Sequence, residues 1–196
     1  MFKLETRNLI LDIYKSLEVL NCGGVILYPT DTIWGIGCDA TNEVAVQRVF
    51  TIKRRSESRA MIALVDGFSM LAKYTKHIPS IATAMRFVET SEHPVTFIYP
   101  MAKYLAPNLI AEDGSIGIRV VHDIFCLQLL KKFGKPIVST SANISGSPTP
   151  VNFDEISDEI KAAVDYIVCW RQDDRQPATA SSIIKLNLDG SSNVLR

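Results

Sequence analysis

The sequence predicts a single α/β domain built on a mixed β-sheet. Short apolar runs, typical of buried strands, alternate along the chain with longer stretches whose apolar residues recur every three or four positions, as in amphipathic helices. A chain of 196 residues has the length of one domain, and neither an internal repeat nor a low-complexity linker divides it. We therefore expect residues 1–196 to form one domain in which helices cover a mixed sheet.

Helices are predicted wherever apolar residues keep helical spacing. In chain order they are expected at residues 9–20, from Thr41 or Asn42 to Ile52, and at residues 68–74, 79–88, 124–133 and 154–164. Three of these helices carry recognisable ends, because Gly23 and Gly24 can end the first, Thr41 or Asn42 can cap the second and Gly134 can end the fifth.

Strands are predicted at the apolar runs between these helices. They are expected at residues 25–28, 33–38, 61–65, 95–99, 116–121, 137–139, 166–169 and 182–186, with a last strand at the C-terminus. Pro29, Gly35 and Gly37 interrupt the first two runs, so we expect short strands there. Residues 140–150 are rich in Ser, Asn, Gly and Pro and are expected to form a loop.

The composition excludes several classes of protein. Lys and Arg together number 21, as do Asp and Glu, and this zero net charge argues against a surface devoted as a whole to nucleic acid, although it allows a local cationic cleft. The three histidines and four cysteines form no C-x-x-C pair or metal-binding cluster, so no metal site is predicted. The charged N-terminus and the lack of an apolar run of roughly 20 residues predict neither a signal peptide nor a membrane span, and we expect a cytoplasmic protein.

Two glycine-containing patterns resemble nucleotide-binding motifs without their context. Gly35, Gly37 and Ala40 fit G-x-G-x-x-A, but that fingerprint opens a helix directly after a strand, and here the helix is expected only after Thr41. Gly134 is followed by lysine but lacks the upstream glycine and the hydroxyl of a Walker A motif. We predict neither nicotinamide or flavin binding nor P-loop phosphoryl transfer, and expect the first two glycines to allow a close backbone path.

Polar residues at the end of the first strand form a candidate ligand site. Thr30, Asp31 and Thr32 directly follow Pro29. Ligands of α/β folds bind where strands end and side chains leave the sheet. A turn whose Asp and Thr side chains bond to their own backbone is the alternative, and these residues alone leave both open.

A run of cations spans the end of the second predicted helix and the turn that follows it. Its members are Arg48, Lys53, Arg54, Arg55 and Arg59, a local positive field in a chain of zero net charge. Lys53 and Arg55 lie at the expected helix end and could converge on one anion. The alternative is a solvated helix end whose cations complement the helix dipole.

Two further segments place polar groups beside apolar strands. Residues 139–149 carry six hydroxyls and one amide, a set of donors that can hold phosphate or carboxylate oxygens. Arg119 alternates with apolar residues in a strand that reads as half-buried, so it could project into a cleft to bind a carboxylate. The alternatives are a polar surface loop and an exposed or ion-paired arginine.

Taken together, these segments resemble the YrdC-type threonylcarbamoyl-AMP synthases. The resemblance is carried by YPTDTIWGIG at residues 28–37, KRR at 53–55, SIGIR at 115–119 and STSANISG at 139–146. It runs from about residue 24 to residue 149 in order and spacing, and more weakly to the end. It implies the short, single-domain form: a twisted mixed sheet with surrounding helices and a central cationic cavity.

The resemblance also implies an activity. The family joins L-threonine, bicarbonate and ATP into L-threonylcarbamoyladenylate and pyrophosphate, with Mg²⁺ carried by the ATP phosphates. A separate tRNA threonylcarbamoyl transferase then moves the group to an adenosine next to the anticodon. A weak contact of the chain itself with RNA is compatible with this role.

The family's functional positions map onto this sequence one by one. The residues implied to bind ATP are Lys53, Arg55, Arg59, Ser115, Ser141, Asn143, Thr149 and Arg196. The residues implied to contact threonine are Thr32, Arg119 and Ser139. The resemblance implies that Lys53 and Arg55 are catalytic, by neutralising charge at the phosphates.

Three positions depart from the family pattern. Ser56 stands where a proline often follows K-x-R, and Arg59 begins a segment that often reads Asn-Pro-Leu. Leu64 stands where the family can place a histidine facing threonine. These departures keep open a paralogue with a different carbamoyl donor or acceptor. A second alternative is a non-catalytic RNA-binding or ribosome-associated module, whose RNA affinity would fall steeply with salt.

Overall fold

The computed structural model describes residues 2–55, 61–76, 94–175, 179–189 and 191–195, with side chains from Asn8 onward. Its helices, in chain order, are α1 (Phe2–Asn21), α2 (Glu43–Ile52), α3 (Phe68–Tyr74), α4 (Ile124–Phe133) and α5 (Asp158–Ala163), with a 3₁₀ turn at Pro107–Leu109. None of the described helices combines the length and the apolar character that crossing a membrane requires.

The strands of the described residues are short. They are β1 (Ile26–Tyr28), β2 (Gly35–Gly37), β3 (Ile62–Val65), β4 (Val95–Tyr99), β5 (Ile116–Val120), β6 (Ile137–Ser141), β7 (Tyr166–Ile167), β8 (Ser182–Leu186) and β9 (Ser192–Val194). They form one sheet in the order β7-β1-β2-β6-β3-β5-β4-β8-β9. The pairs β1–β7, β3–β5 and β4–β8 are parallel and the others antiparallel, which confirms the predicted mixed sheet.

The predicted helix ends are confirmed where the capping chemistry was readable. The Asn42 side chain accepts a hydrogen bond from Ala45 N at the start of α2. Gly134 ends α4 with a left-handed φ of 73°, a conformation that costs glycine little, and its N–H bonds to Leu130 O. The start of α4 is held in the same way as that of α2, since the Asp123 side chain accepts from Cys126 N.

The apolar runs are buried because strands and helices cover each other. All three residues of β1 are buried, as are Ala63, Leu64 and Val65 of β3. Helix α1 packs against α4 and also contacts β1 and β7. Continuous apolar runs, rather than alternating ones, are what strands covered on both faces require.

Several predicted boundaries differ from the structure, and the largest difference is at α1, which begins at Phe2 rather than at residue 9. The last described helix, α5, begins at Asp158 rather than at residue 154, because Asn152 Oδ1 holds the N–H groups of Asp154 and Glu155 in a turn and Ser157 caps the helix. The predicted loop from residue 140 begins later, since β6 continues through Thr140 and Ser141, which pair with β2. The helix predicted at residues 79–88 lies outside the described residues.

The two glycines of β2 serve close approach. A side chain at position 37 would place its Cβ 2.2 Å from Val138 O and 2.7 Å from a ring carbon of Tyr28, and no such contact is tolerated. At position 35 the Cβ would lie 3.2 Å from Ser139 Oγ, at the edge of the cavity described below. The G-x-G pattern therefore lets β2 lie tightly against β6, and it does not open a helix.

Candidate functional site

A cavity of about 220 Å³ lies over the middle of the sheet. Its lining comes from β2, β6, β3, β5, β4 and β8, which are neighbours in that order, and from the segments after β1, α2 and β6. The lining residues that the sequence singled out are Thr32, Arg55, Arg119, Ser139, Ser141 and Thr149. Segments that lie far apart in the chain thus place their polar side chains around one space.

One end of the cavity contains a buried ion pair, which we call the acid-paired end (Asp31, Thr32 and Arg119). The Arg119 guanidinium is 3% exposed, its Nη1 donates to Thr32 Oγ1 at 3.0 Å, and its Nη2 lies 3.1 Å from Asp31 Oδ1. The Asp31 side chain is 9% exposed, and neither of its oxygens accepts a well-aligned hydrogen bond from the described residues. Charge attraction rather than hydrogen-bond geometry therefore holds Asp31 on the arginine.

The turn after β1 fixes the position of Thr32. Thr30 Oγ1 lies 2.9 Å from Thr32 Oγ1, accepts from Thr32 N at 3.0 Å and donates to Ile33 O at 2.8 Å. The self-bonded turn and the ligand site, which the sequence left as alternatives, are thus compatible: the turn bonds internally and still presents Thr32 to the cavity.

Register in the sheet places Arg119 on the cavity face. Gly117 and Arg119 share one face of β5 because side chains alternate along a strand, and a Cβ at Gly117 would lie 2.9 Å from Ile62, a cavity residue. Leu64 pairs with Arg119 across β3 and β5 and is 1% exposed. An apolar side chain therefore flanks the guanidinium where the family can carry a histidine.

A second buried cation, Lys53, lies behind the part of the cavity wall that contains Ser141, in a cluster that we call the carbonyl-bound end (Lys53, Ser141 and Asn143). Lys53 is 1% exposed, and its Nζ donates to Ser141 O, to Asn143 O at 2.7 Å and, at 3.5 Å, to Asn143 Oδ1. Burial, with a smaller contribution from the Arg55 guanidinium, lowers the pKa of Lys53 to about 7. Lys53 and Asn143 are not among the described residues that line the cavity.

A single backbone turn separates Lys53 from Arg55. Helix α2 ends at Ile52, and Arg54 takes a left-handed φ of 49°, which is uncommon for a residue other than glycine. The turn sends Lys53 into the protein, Arg54 outward to Glu159 at 2.7 Å, and Arg55 to the cavity. Lys53 and Arg55 therefore do not meet at one point in the cavity.

Ser115 lies beside a neighbouring hollow. Its Oγ donates to Asp113 Oδ1, and Lys185 Nζ lies 3.0 Å from Asp113 Oδ2. These hydrogen bonds, that from Ser115 first, lower the pKa of Asp113 to about 2. The hollow that these three residues line is separate from the cavity. Arg59 and Arg196 lie outside the described residues.

Sequence reasoning missed the wall contributed by β4 and β8. Thr96 Oγ1 and Ser181 Oγ lie 2.8 Å apart, both residues are buried, and both line the cavity with Ile183. Thr96 lies in an apolar run, and Ser181 precedes one, so neither had a motif to mark it. Their partnership follows from the parallel pairing of β4 with β8, which no local pattern encodes.

Comparison with known proteins assigns the chain that forms this cavity to a family. A model of the Sua5/YciO/YrdC family, described as telomere recombination, matches residues 18–196. The chain belongs to this family. The match covers every described residue that lines the cavity.

Individual members of the Sua5/YciO/YrdC family agree with this assignment. The chain is 34% identical over 158 residues to a threonylcarbamoyl-AMP synthase of Pseudoalteromonas translucida, an alignment covering 80% of this chain and 84% of that protein. Among solved structures, Escherichia coli YciO matches with a TM-score of 0.79 at 26% identity, over 94% of this chain and 87% of that one.

A second solved structure extends the likeness in fold. Sua5 of P. abyssi, complexed with L-threonine, matches with a TM-score of 0.80 at 24% identity, over 94% of this chain. The match covers 53% of the Sua5 chain, so this protein spans about half of Sua5. The twisted mixed sheet with surrounding helices, expected from the resemblance, is therefore confirmed as the family fold.

Proposed function

We propose that this protein is a threonylcarbamoyl-AMP synthase, which joins L-threonine, bicarbonate and ATP and releases pyrophosphate. The observation that carries the proposal is the cavity, where two arginines and a set of hydroxyls from distant segments surround one space. The similarity to a named threonylcarbamoyl-AMP synthase over most of both chains supports the same reading. Guanidinium and hydroxyl groups suit reactants that are mostly anions.

We assign the acid-paired end to threonine. A guanidinium carries five N–H donors, so Arg119 can bind Thr32 and Asp31 and still offer N–H groups to a substrate carboxylate. The Thr32 and Ser139 hydroxyls line the same space and would contact the rest of the amino acid. Because Asp31 compensates the charge of Arg119 beforehand, this end suits a zwitterionic amino acid better than a bare anion.

We assign the other side of the cavity to ATP. Arg55, Ser141 and Thr149 line it and would face the phosphates and the nucleoside. Arg59, Asn143 and Arg196 join this group through the family resemblance. The resemblance implies the same for Ser115, but that residue lines the neighbouring hollow instead of the cavity. The lining is made of guanidinium, hydroxyl and apolar groups, which suit phosphate oxygens rather than a divalent cation, so Mg²⁺ would travel with ATP.

The chemistry needs positioning more than a covalent nucleophile. The threonine amine attacks the carbon of bicarbonate, losing a proton and expelling water, and gives a carbamate. A carbamate oxygen then attacks the α-phosphate of ATP, the bond to the β-phosphate oxygen breaks, and pyrophosphate leaves. Arg119 and Thr32 would hold the amino acid in line with the α-phosphate, while Arg55 offsets the charge that develops on the departing oxygens.

The product implies partners outside this chain. Threonylcarbamoyl-AMP is a reactive mixed anhydride, so we propose that a tRNA threonylcarbamoyl transferase takes it up in the cytoplasm and modifies the adenosine next to the anticodon. A recessed site that limits water would protect the anhydride until transfer. Any contact of this chain with RNA would be weak.

The proposal is tested by the substrate dependence of pyrophosphate release. The purified protein is mixed with MgATP, and threonine and bicarbonate are added singly and together. We expect pyrophosphate only when both are present, because the carbamate is the group that attacks ATP. The control is Arg55→Ala, expected to lower the rate about 10²–10³-fold by removing a charge-stabilising donor. Salt-sensitive RNA binding without any ATP turnover would contradict the proposal and favour an RNA-binding module.

A further inference from the structure

The Lys53 side chain points into the protein wall instead of into the cavity. Its Nζ contacts three oxygens, all of them from Ser141 and Asn143, and the residue is 1% exposed. Arg55, two residues later, is half-buried and lines the cavity. Of the two cations in the K-x-R motif, the arginine faces the proposed phosphate position and the lysine faces main-chain carbonyls.

Lys53 both donates hydrogen bonds to the Ser141–Ser147 segment and accepts one from it. Ser145 N donates to Lys53 O at 2.9 Å, so the lysine holds the segment through its side chain and its main chain. Asn143 bonds within the segment, where its Nδ2 donates to Ser147 O at 2.7 Å and to Ile144 O at 3.2 Å. The segment from Ser141 to Ser147 is thus tied to the end of α2 at several points.

The sheet ends where these contacts begin. Gly35 pairs with Ser141 in the last described pair between β2 and β6, and beyond it the chain turns away. Carbonyl groups that leave a sheet need other donors when they are buried. Lys53 supplies N–H groups to the carbonyl of Asn143 and to that of Ser141, which also accepts from Asn143 N at 2.9 Å, and Ser141 belongs to the cavity lining.

We propose that Lys53 is a positioning residue that fixes the Ser141–Asn143 segment of the cavity wall through its main-chain carbonyls, instead of contacting the ATP phosphates itself. The expected effect of Lys53 on ATP binding rests on the proposed function, whereas its expected effect on the Ser141–Asn143 segment does not. Removing the ammonium would loosen the segment that carries Ser141 even when the cavity is empty. Removing a phosphate ligand would leave the empty cavity unchanged.

The first test is hydrogen exchange of the protein without ligands. In Lys53→Met we expect faster amide exchange in peptides covering residues 141–147, where Ser145 N–H bonds to Lys53 O, and unchanged exchange in α4. Lys53→Gln, which keeps an N–H₂ group, is expected to lie between Met and wild type and serves if Lys53→Met does not fold. Arg54→Met is the matched control, because Arg54 points outward to Glu159 and should leave residues 141–147 unchanged.

The second test separates positioning from direct contact by a double-mutant cycle on the KM for ATP. If Lys53 acts through Ser141, Lys53→Met should raise this KM by about tenfold in the wild-type background but by less than about twofold beside Ser141→Ala. An equal factor in both backgrounds would mean that Lys53 contacts ATP independently, and would overturn the proposal.

The two proposals fail separately. Unchanged exchange in residues 141–147 of the Lys53 variants overturns the positioning role whatever the activity of the chain. Absence of pyrophosphate from the wild-type protein overturns the proposed function and leaves the exchange test, which needs no substrate, fully interpretable.

Discussion

Two clusters beside the cavity, the acid-paired end and the carbonyl-bound end, each bury a cation, and they compensate its charge in different ways. At the acid-paired end, Arg119 faces the full negative charge of Asp31. At the carbonyl-bound end, Lys53 faces the oxygens of Ser141 and Asn143, which carry dipoles and no net charge. The first arrangement is neutral as a pair, while the second is positively charged only when Lys53 is protonated.

This difference shows that burying a cation has different consequences, depending on whether a carboxylate or neutral dipoles compensate its charge. The charge of a guanidinium beside a carboxylate is compensated by the charge of its partner. A lysine compensated only by dipoles is left with the cost of leaving water, which is why its pKa falls to about 7. The acid-paired end is therefore sensitive to the loss of a partner, and the carbonyl-bound end to pH.

The largest expected effect comes from breaking the acid-paired end. Arg119→Met leaves the Asp31 carboxylate buried without its counter-charge, so we expect the free energy of unfolding to fall by about 3–5 kcal/mol. Urea denaturation measures this loss. In the variant that still folds, the KM for threonine should rise more than the KM for ATP.

The control for this prediction removes both charges. Asp31→Asn combined with Arg119→Met should recover part of the lost stability, because no buried charge then lacks a partner. A double variant no more stable than Arg119→Met alone would show that packing of the arginine, and not its charge, supports this end.

An intermediate effect is expected from pH at the carbonyl-bound end. The pKa of Lys53 is about 7 in the folded protein, against the usual 10.5 expected when unfolded. The unfolded state therefore holds more protons between these values, and the free energy of unfolding should rise with pH across that window, by up to about 1.4 kcal/mol per pH unit.

The measurement compares urea denaturation of the wild type and Lys53→Met from pH 6 to pH 9. The wild type should gain stability relative to the variant above pH 7, with the difference levelling off below pH 7, where Lys53 is protonated in both states. If the free energies of unfolding of the two proteins changed with pH in parallel, the three oxygens would compensate the buried charge fully. The carbonyl-bound end would then be as insensitive to pH as the acid-paired end.

The smallest effect is expected from the cation between Lys53 and Arg55. The Arg54 and Glu159 side chains are 68% and 54% exposed, so water screens their ion pair. Arg54→Met should change the free energy of unfolding by less than about 0.5 kcal/mol and leave pyrophosphate release unchanged. A large loss of activity would mean that the turn at Arg54, and not the Lys53 side chain, fixes the position of the Ser141–Asn143 segment.

Much of the fold was readable because it depends on local patterns. Buried strands read as apolar runs, and the ends of α2 and α4 were marked by Asn42 and Gly134. The order of strands was not readable, because β4 finds its partner β8 across most of the chain's second half. The cavity wall at Thr96 and Ser181 depends on that pairing and was missed with it.

The candidate site was readable to the extent that motifs carried it. Arg55, Arg119 and Ser141 were singled out by motif and lie around one cavity. The different directions of Lys53 and Arg55 were not readable, because they depend on the left-handed backbone at Arg54, which the residue type disfavours. Asp31 was visible in the sequence beside Thr32, but its ion pair with Arg119 could not be predicted, because it depends on where the fold places Arg119.

The position of β8 in the chain has a consequence for how the protein folds during its synthesis on the ribosome. Ala180, Ser181 and Ile183 are translated after every other described residue that lines the cavity, and they close one side of it. Domains fold as their chain emerges, and here the rest of the sheet can assemble while this side is still missing. The nascent chain therefore has an incomplete cavity until β8 leaves the exit tunnel and pairs with β4, so the cavity can bind a ligand only after residues 180–183 have emerged.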